Sequence, residues 1–418
     1  MTLRLAVYIG KGADGALKAT IDSLDQNARG IPIGSIELKE SKLTFTSAPL
    51  SASYEGRVNQ DFTAIEGVFT QGGPVPLNFK KASAADLSLP RRPQNPTKPY
   101  PYREEDLTYE NPGAGIRLGA TLTLPNGPGP FPAVVLITGS GQQDRDESVF
   151  GHKPFLVLAD YLTRKGLAVL RSDDRGAGKS GGVFATATTA DFATDVEAAV
   201  ACLKSRHEID PHKIGLIGHS EGGYIAPMVA ARYKDVAFIV MMAGGGVPGD
   251  QMIVAQVVAG NEAAGVPHEQ ALQYGVRERE LLDLLMKEKD EVVLKRKFTE
   301  LVGPEADATY RQMTSPWYRY FLSYDPAPAL RKVSCPVLAI IGEKDTEVPA
   351  SLNLPAIRKA LEDGGNKHFE VAQLPGLNHL LQTARTGALS EYQQIEETIS
   401  PSALERIATW IAGAIANS

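Results

Sequence analysis

Lys213-Ile-Gly-Leu-Ile-Gly-His-Ser-Glu-Gly-Gly-Tyr224 is the stretch on which the fold turns. Its first five residues make an apolar run of strand length, and an apolar helical pattern continues from Tyr224 to Arg232. Between them, Gly218-His219-Ser220-Glu221-Gly222 satisfies G-x-S-x-G, in which a serine occupies a sharp turn from a sheet strand straight into a helix. Such a turn exposes the hydroxyl above the sheet and sets a helix N-terminus where negative charge would develop. The pattern alone is weak in a chain with 40 glycines, and Gly178-Lys179-Ser180-Gly181-Gly182 matches it too. Ser180, however, lies several residues past its strand in a glycine-rich loop, and Val183-Phe-Ala-Thr-Ala-Thr188 does not open as a helix. Ser220 is therefore the candidate nucleophile.

Working outward, apolar runs at Phe131–Ile137, Leu167–Leu170, Ala237–Met242 and Cys335–Ile341 read as buried strands, and Phe369–Gln373 reads as a further strand. Helical patterns at Pro154–Lys165, Thr188–Ser205, Ser351–Glu362 and Pro401–Ala416 alternate with them. In Thr188–Ser205 the residues Phe192, Val196, Ala199, Val200 and Leu203 share one face. Asp106–Tyr109 and Ile116–Leu124 read as an antiparallel edge. The alternation stops between Gly244 and Arg331, where a largely helical stretch predicts an inserted cap over about 245–330; its charge runs read as solvated helix faces. The expectation is an α/β fold, a mostly parallel sheet flanked by helices, with that cap.

Residues 1–90 differ. Leu3, Leu5, Val7 and Ile9 alternate with other positions. Later bursts at Leu17–Ile21, Ile36–Leu38, Leu43–Phe45, Tyr54–Val58, Ile65–Phe69 and Val75–Phe79 are separated by glycine-rich turns. Period two with frequent turns predicts a small N-terminal antiparallel β domain, structural or interfacial, with a carbohydrate- or lipid-binding module as the alternative. Leu89 to Tyr102 carries five prolines, so 91–102 reads as a stiff linker and 103–418 as the catalytic domain.

Composition excludes several classes. A net charge of −6 over 418 residues gives no basic footprint for nucleic acid. Two cysteines, Cys202 and Cys335, make no disulfide framework and have no zinc-ligand spacing. No apolar run is long enough for a membrane span, and the short N-terminal apolar stretch reads as a strand rather than a signal core. The expected compartment is cytoplasmic as the sequence stands, with a periplasmic or secreted location the alternative if a leader has been trimmed. Gly176-Ala-Gly178-Lys-Ser-Gly181 fits G-x-G-x-x-G without a helix opening on it, and a Walker loop would need glycine where Asp173 stands. Nucleotide binding is disfavoured.

A serine hydroxyl needs a base and a group that orients the base. Asp345 follows Cys335–Ile341, where a carboxylate would project from the carboxyl edge of the sheet, and His379 follows the last strand at the same edge. Glu343 and Glu347 read as solvated neighbours, and His219 as the variable residue of the turn. The backbone N–H of Glu221 and one from Thr138 to Asp146, Ser140 first and Gly141 second, would form an oxyanion hole. Trp317, Tyr318 and Phe321 are candidates for an apolar pocket, ordinary cap packing being the alternative.

Residues 103–418 resemble the α/β-hydrolase superfamily in the G-H-S-E-G turn, the Ser172–Ser180 loop, the Gly-Glu-Lys-Asp turn and the Leu-Asn-His loop. Thr138–Asp146, Ser315–Phe321 and Leu377–Gln382 are further similar to bacterial serine esterases of carboxylesterase type with an N-terminal β domain. The resemblance implies Ser220 as nucleophile, His379 as base and Asp345 as orienting acid, acting on a small-molecule ester without cofactor or metal. The oxyanion loop departs from the H-G-G-G of many lipases. A peptidase, aminopeptidase or acyltransferase with the same residues is the enzymatic alternative, and a non-catalytic ligand-binding protein the alternative of another class. The sequence does not set the oligomeric state; a homodimer is compatible with it.

Overall fold

The structure is a computed structural model describing residues 4–12, 15–24, 28–50, 52–71, 73–83, 91–303 and 306–416. It divides into two compact units, residues 1–91 with 149–151, and 92–148 with 152–418.

In the first unit, β1 (Leu5–Lys11), β2 (Leu17–Ser23) and β3 (Ala28–Pro32) form a three-stranded antiparallel sheet. β4 (Ser35–Lys39), β5 (Lys42–Ser47), β6 (Ala52–Val58) and β7 (Ala64–Thr70) make an antiparallel meander. β8 (Pro74–Pro76) and β9 (Phe79–Lys80) both pair with β7. Phe45 and Tyr54 face each other across β5 and β6, their rings stacked at 5.1 Å, and with Leu43 they centre the small core. Cross-strand aromatic pairs of this kind stabilise a sheet face. The run expected over Val75–Phe79 is split in two, since Pro74 and Pro76 have no N–H for a continuous ladder. β1 also departs from expectation: Ala6 is its buried residue and Ile9 is exposed, while Leu3 lies outside the described residues. β3 was not expected, because Gly30 and Pro32 interrupt its alternation.

The second unit holds an eight-stranded sheet of β10 (Arg103–Asn111), β11 (Ile116–Leu124), β12 (Phe131–Ile137), β13 (Ala168–Ser172), β14 (Ile209–His219), β15 (Ile239–Met242), β16 (Val337–Gly342) and β17 (Phe369–Leu374). The order is β10-β11-β13-β12-β14-β15-β16-β17; β10 and β11 are antiparallel, as expected, and the rest run parallel. The apolar strands are continuous because both faces are covered. On β12, Ala133, Val135 and Ile137 belong to the core beneath α2 (Thr189–Lys204) and α3 (Gly222–Arg232), which continues under α10 (Ala350–Asp363) at β16. Val134 and Leu136 face α1 (Pro154–Arg164) and α12 (Pro401–Ala416) on the other side. The short α11 (Leu389–Tyr392) lies between α10 and α12 in the chain.

The cap separates β15 from β16 and comprises α4 (Gly249–Ala263), α5 (His268–Lys287), α6 (Glu291–Val302), α7 (Asp307–Met313), α8 (Pro316–Ser323) and α9 (Ala327–Leu330). Leu282, Leu285, Leu294 and Phe298 form its own core. The proline-rich segment makes hydrogen bonds with later residues of the second unit. Arg92 donates to the carbonyls of Gln393 and Ile395, at 2.8 and 2.9 Å, and the Tyr102 hydroxyl donates to Asp160 at 2.9 Å. From Arg92 onward it belongs to the second unit.

Candidate active site

Ser220 stands one residue beyond β14 and two before α3. Its φ of 53° is left-handed, a costly conformation for a residue with a Cβ. The turn is held by Ser220 N–H donating to the Met242 carbonyl and Gly223 N–H donating to the Ser220 carbonyl, both at 2.9 Å. Its glycines answer to space. A Cβ on Gly218 would sit 1.9 Å from the Gly222 carbonyl oxygen, and one on Gly222 would sit 2.2 Å from that of Ile137. A side chain at either glycine would keep β12, β14 and α3 from approaching this closely.

Asp345 and His379 follow the ends of β16 and β17, at the carboxyl edge of the parallel strands. Both are buried, and the Asp345 carboxylate meets His379 Nδ1 at 2.9 and 3.0 Å. Asp345 Oδ1 also accepts the N–H groups of Glu347 and Val348, at 2.9 and 2.7 Å, which fixes its direction. Burial alone would lower the His379 imidazole; the carboxylates of Asp345, Glu347 and Glu147 outweigh it and push it up to about 9. Behind His379, Gln382 exchanges hydrogen bonds with Asn378 at 2.9 Å and meets buried His152 at 3.0 Å. The Leu377–Gln382 sequence therefore shapes the loop that carries the imidazole.

Sequence reasoning missed three residues. His219, expected as a variable position, is buried, with Nδ1 2.9 Å from Glu147 Oε1 and Nε2 3.1 Å from the His379 carbonyl oxygen. Glu147 Oε1 also accepts the N–H of Gly139 at 2.7 Å. One carboxylate and one imidazole thus join the loop after β12, the serine turn and the histidine loop. Asp174 ties the same loop by accepting from Thr138 Oγ1 and Gln143 N–H at 2.7 and 2.8 Å, and burial raises its carboxyl to about 7. Ser140 and Gly141 lie exposed on this loop, Gly141 with a φ of 88°.

The cap residues separate. Trp317 Nε1 donates to Glu221 Oε1 at 2.8 Å, beside a 2.7 Å bond from Thr189 Oγ1. Burial raises the Glu221 carboxyl to about 6 against these two bonds. Phe321 stacks on Trp317 at 5.5 Å and packs with Tyr224, Val247 and Met252. Tyr318 belongs to the cap core with Leu282, Leu294 and Phe298, which makes it packing rather than pocket lining. Glu343, at the start of the acid turn, accepts the Gly376 N–H at 2.8 Å in an exposed setting. Glu347 does not fit the solvated reading: it is half-buried, with Oε2 3.9 Å from His379 Nε2. Ser180 is structural, donating to the Asp173 carbonyl at 2.7 Å and accepting the Gly119 N–H at 2.9 Å.

Among the described residues, no group of three or more His, Cys, Asp or Glu side chains is arranged to hold a metal ion, and no helix is long and apolar enough to cross a membrane.

A mostly parallel sheet with a serine on a strand-to-helix turn, an acid and a histidine after later strands, and a cap inserted before the acid strand is the α/β-hydrolase fold. Residues 153–384 match the family model described as Serine aminopeptidase, S33, and the chain belongs to this hydrolase family. It is 25% identical over 354 residues to Esterase EstD of Thermotoga maritima, spanning 84% of this chain and 76% of that protein. Among solved structures, it is similar to Est1E from Butyrivibrio proteoclasticus with ferulic acid bound, at 19% identity, 74% and 99% coverage and a TM-score of 0.46. The α/β hydrolase GrgF from Penicillium sp. sh18 is likewise similar, at 17% identity, 76% and 99% coverage and a TM-score of 0.47.

Proposed function

We propose that the chain is a carboxylesterase that works through an acyl-enzyme on Ser220. His379 Nε2 takes the Ser220 Oγ proton as the oxygen attacks the ester carbonyl, and Asp345 holds the imidazole by Nδ1 and stabilises the imidazolium. The N–H of Glu221 and that of Ser140, with Gly141 second, receive the oxyanion at the N-terminal end of α3. His379 then gives its proton to the leaving alcohol, and water releases the acid by the same steps in reverse order.

The observation that carries this reading is the 2.9 Å contact of the Asp345 carboxylate with His379 Nδ1, both buried, at the sheet edge from which the left-handed Ser220 projects. The similarity to an esterase over most of the chain supports ester rather than amide substrates. Residues 103–418 carry every group in the scheme; the β domain of residues 1–90 supplies none. Ser220→Ala is expected to lower turnover of a p-nitrophenyl ester by at least about 10³-fold. Ser180→Ala, which removes only structural hydrogen bonds, should cost about 1–3 kcal/mol of stability and leave turnover of the folded enzyme near wild type. Full turnover by Ser220→Ala would end the proposal.

The family's description favours one second reading, aminopeptidase action with the same three residues. The oxyanion and base chemistry is common to both, so the leaving group decides. Comparing kcat/KM on short esters with that on aminoacyl anilides of equal acyl group separates them; a higher value on the anilides would favour the peptidase.

A further inference from the structure

We propose that Glu347 is a positioning residue for the base of this site, its carboxylate holding the Nε2 edge of the His379 imidazolium while Asp345 holds Nδ1. The inference rests on the assignment of His379 as base. Glu347 Oε2 stands 3.9 Å from Nε2, the nitrogen that would carry the proton taken from Ser220. Asp345 and Glu347 are two residues apart in one turn, and Glu347 presents its own N–H to Asp345 Oδ1 at 2.9 Å. The side chain is anchored from a separate element: the Tyr392 hydroxyl, on α11, donates to Glu347 Oε1 at 3.3 Å. Burial, together with the carboxylates of Glu347 and Asp345, raises the Tyr392 phenol, so it serves as a neutral donor.

Among the described residues, the acid turn brings Asp345 and Glu347 to the imidazole, the loop after β12 the Glu147 carboxylate, the serine turn the His219 ring at 4.9 Å, and α11 the Tyr392 phenol, which hydrogen-bonds the His379 backbone. Glu347 is the one of these whose carboxylate approaches Nε2, and it is about a quarter exposed, so its charge acts on the ring through a partly hydrated path. When the proton moves from Ser220 Oγ to Nε2, the new positive charge lies between two carboxylates. The same attraction makes the resting imidazole keep its proton to higher pH, which confines full activity to the alkaline side. An opposite charge within about 4–6 Å favours the charged form of a titrating group, by about one unit for a partly hydrated pair.

The test is the pH profile of kcat/KM on a neutral p-nitrophenyl ester for wild type, Glu347→Gln and Glu347→Asp, with folding checked by circular dichroism. Glu347→Gln keeps an acceptor for Tyr392 and removes the charge. Its acid limb should move to lower pH by about one unit, with a plateau lowered by up to about tenfold as the imidazolium loses a stabilising neighbour. Glu347→Asp, which keeps the charge, should place its limb nearer to that of wild type. A Glu347→Gln limb that coincides with wild type, or a Glu347→Asp limb that coincides with that of Glu347→Gln, overturns the inference. Asp345→Asn, run alongside, keeps the two claims apart. If it retains wild-type turnover, the assignment of acid and base is wrong. If it is inactive while Glu347→Gln leaves the limb in place, only the role of Glu347 falls.

Discussion

Replacing Trp317 by Phe removes one hydrogen bond from a buried carboxylate and leaves an aromatic ring in the cap. Glu221 is 3% exposed, and its Oε1 accepts from Trp317 Nε1 at 2.8 Å and from Thr189 Oγ1 at 2.7 Å. Burial raises its carboxyl to about 6, above the ordinary value of 4.5. The sign follows. A raised carboxyl contributes its full stability below the unfolded value and loses it as pH rises through the folded one. At pH 8 Glu221 is ionised at that expense, and the indole N–H limits it. A hydrogen bond to a charged group contributes about 1.5–3 kcal/mol, and one to a neutral group about 0.5–1.5. At pH 5 the carboxyl is protonated and only the smaller figure applies. The packing lost from indole to phenyl is the same at both pH values and cancels in the comparison. Trp317→Phe should therefore cost about 1 kcal/mol more at pH 8 than at pH 5. The assay is urea unfolding of the catalytic unit, read by circular dichroism at both pH values. In a Glu221→Gln background the pH dependence of the cost should vanish. Equal costs at pH 5 and pH 8 in the native background would refute the reasoning, since the tether from cap to serine turn would then carry no charge.

A Cβ on Gly139 would lie 3.2 Å from Ser220 Cβ, 3.3 Å from Glu147 Oε1 and 3.6 Å from His219 Nδ1. Gly139→Ala should lower kcat by about 10–100-fold through displacement of the nucleophile, with an unchanged circular dichroism spectrum, as misplacement on the order of an ångström does elsewhere. Burial pushes the imidazole of His152 down to about 4, so the folded chain holds it neutral while the unfolded chain takes up a proton below about 6.5. Stability should fall as pH drops from about 6.5 towards 4, by about 3 kcal/mol in all from this group, and His152→Phe should flatten that slope in urea titrations.

What the sequence made legible was local or ordered along the chain. The serine turn could be told from its double at Ser180 because the preceding strand and following helix are contiguous with it. Asp345 and His379 follow recognisable strands, and the end of a parallel strand is a fixed place in such a sheet. The apolar runs marked the interior strands because those strands are covered on both sides. The rest depends on partners far along the chain. His219 and Glu147 are 72 residues apart, Glu221 and Trp317 are 96 apart, and His152 and the Tyr392 carbonyl are 240 apart. No periodicity reports such pairs, although a histidine beside the nucleophile was a visible signal that its side chain needed a partner. Tyr318 and Phe321 looked alike as aromatic cap residues, yet helical geometry turns Tyr318 to the cap core and Phe321 to Tyr224. The strands at Pro74–Pro76 and Ala28–Pro32 escaped because proline and glycine break the alternation that marks a strand.

The central claim is that Ser220 is the nucleophile, activated by the His379–Asp345 pair. Labelling with a fluorophosphonate and mapping the adduct by peptide mass spectrometry tests it most directly. One adduct, on the peptide containing Ser220 and lost in His379→Ala, is the outcome expected. An intact protein that takes no label, or takes it at Ser180 or another serine, would contradict the account.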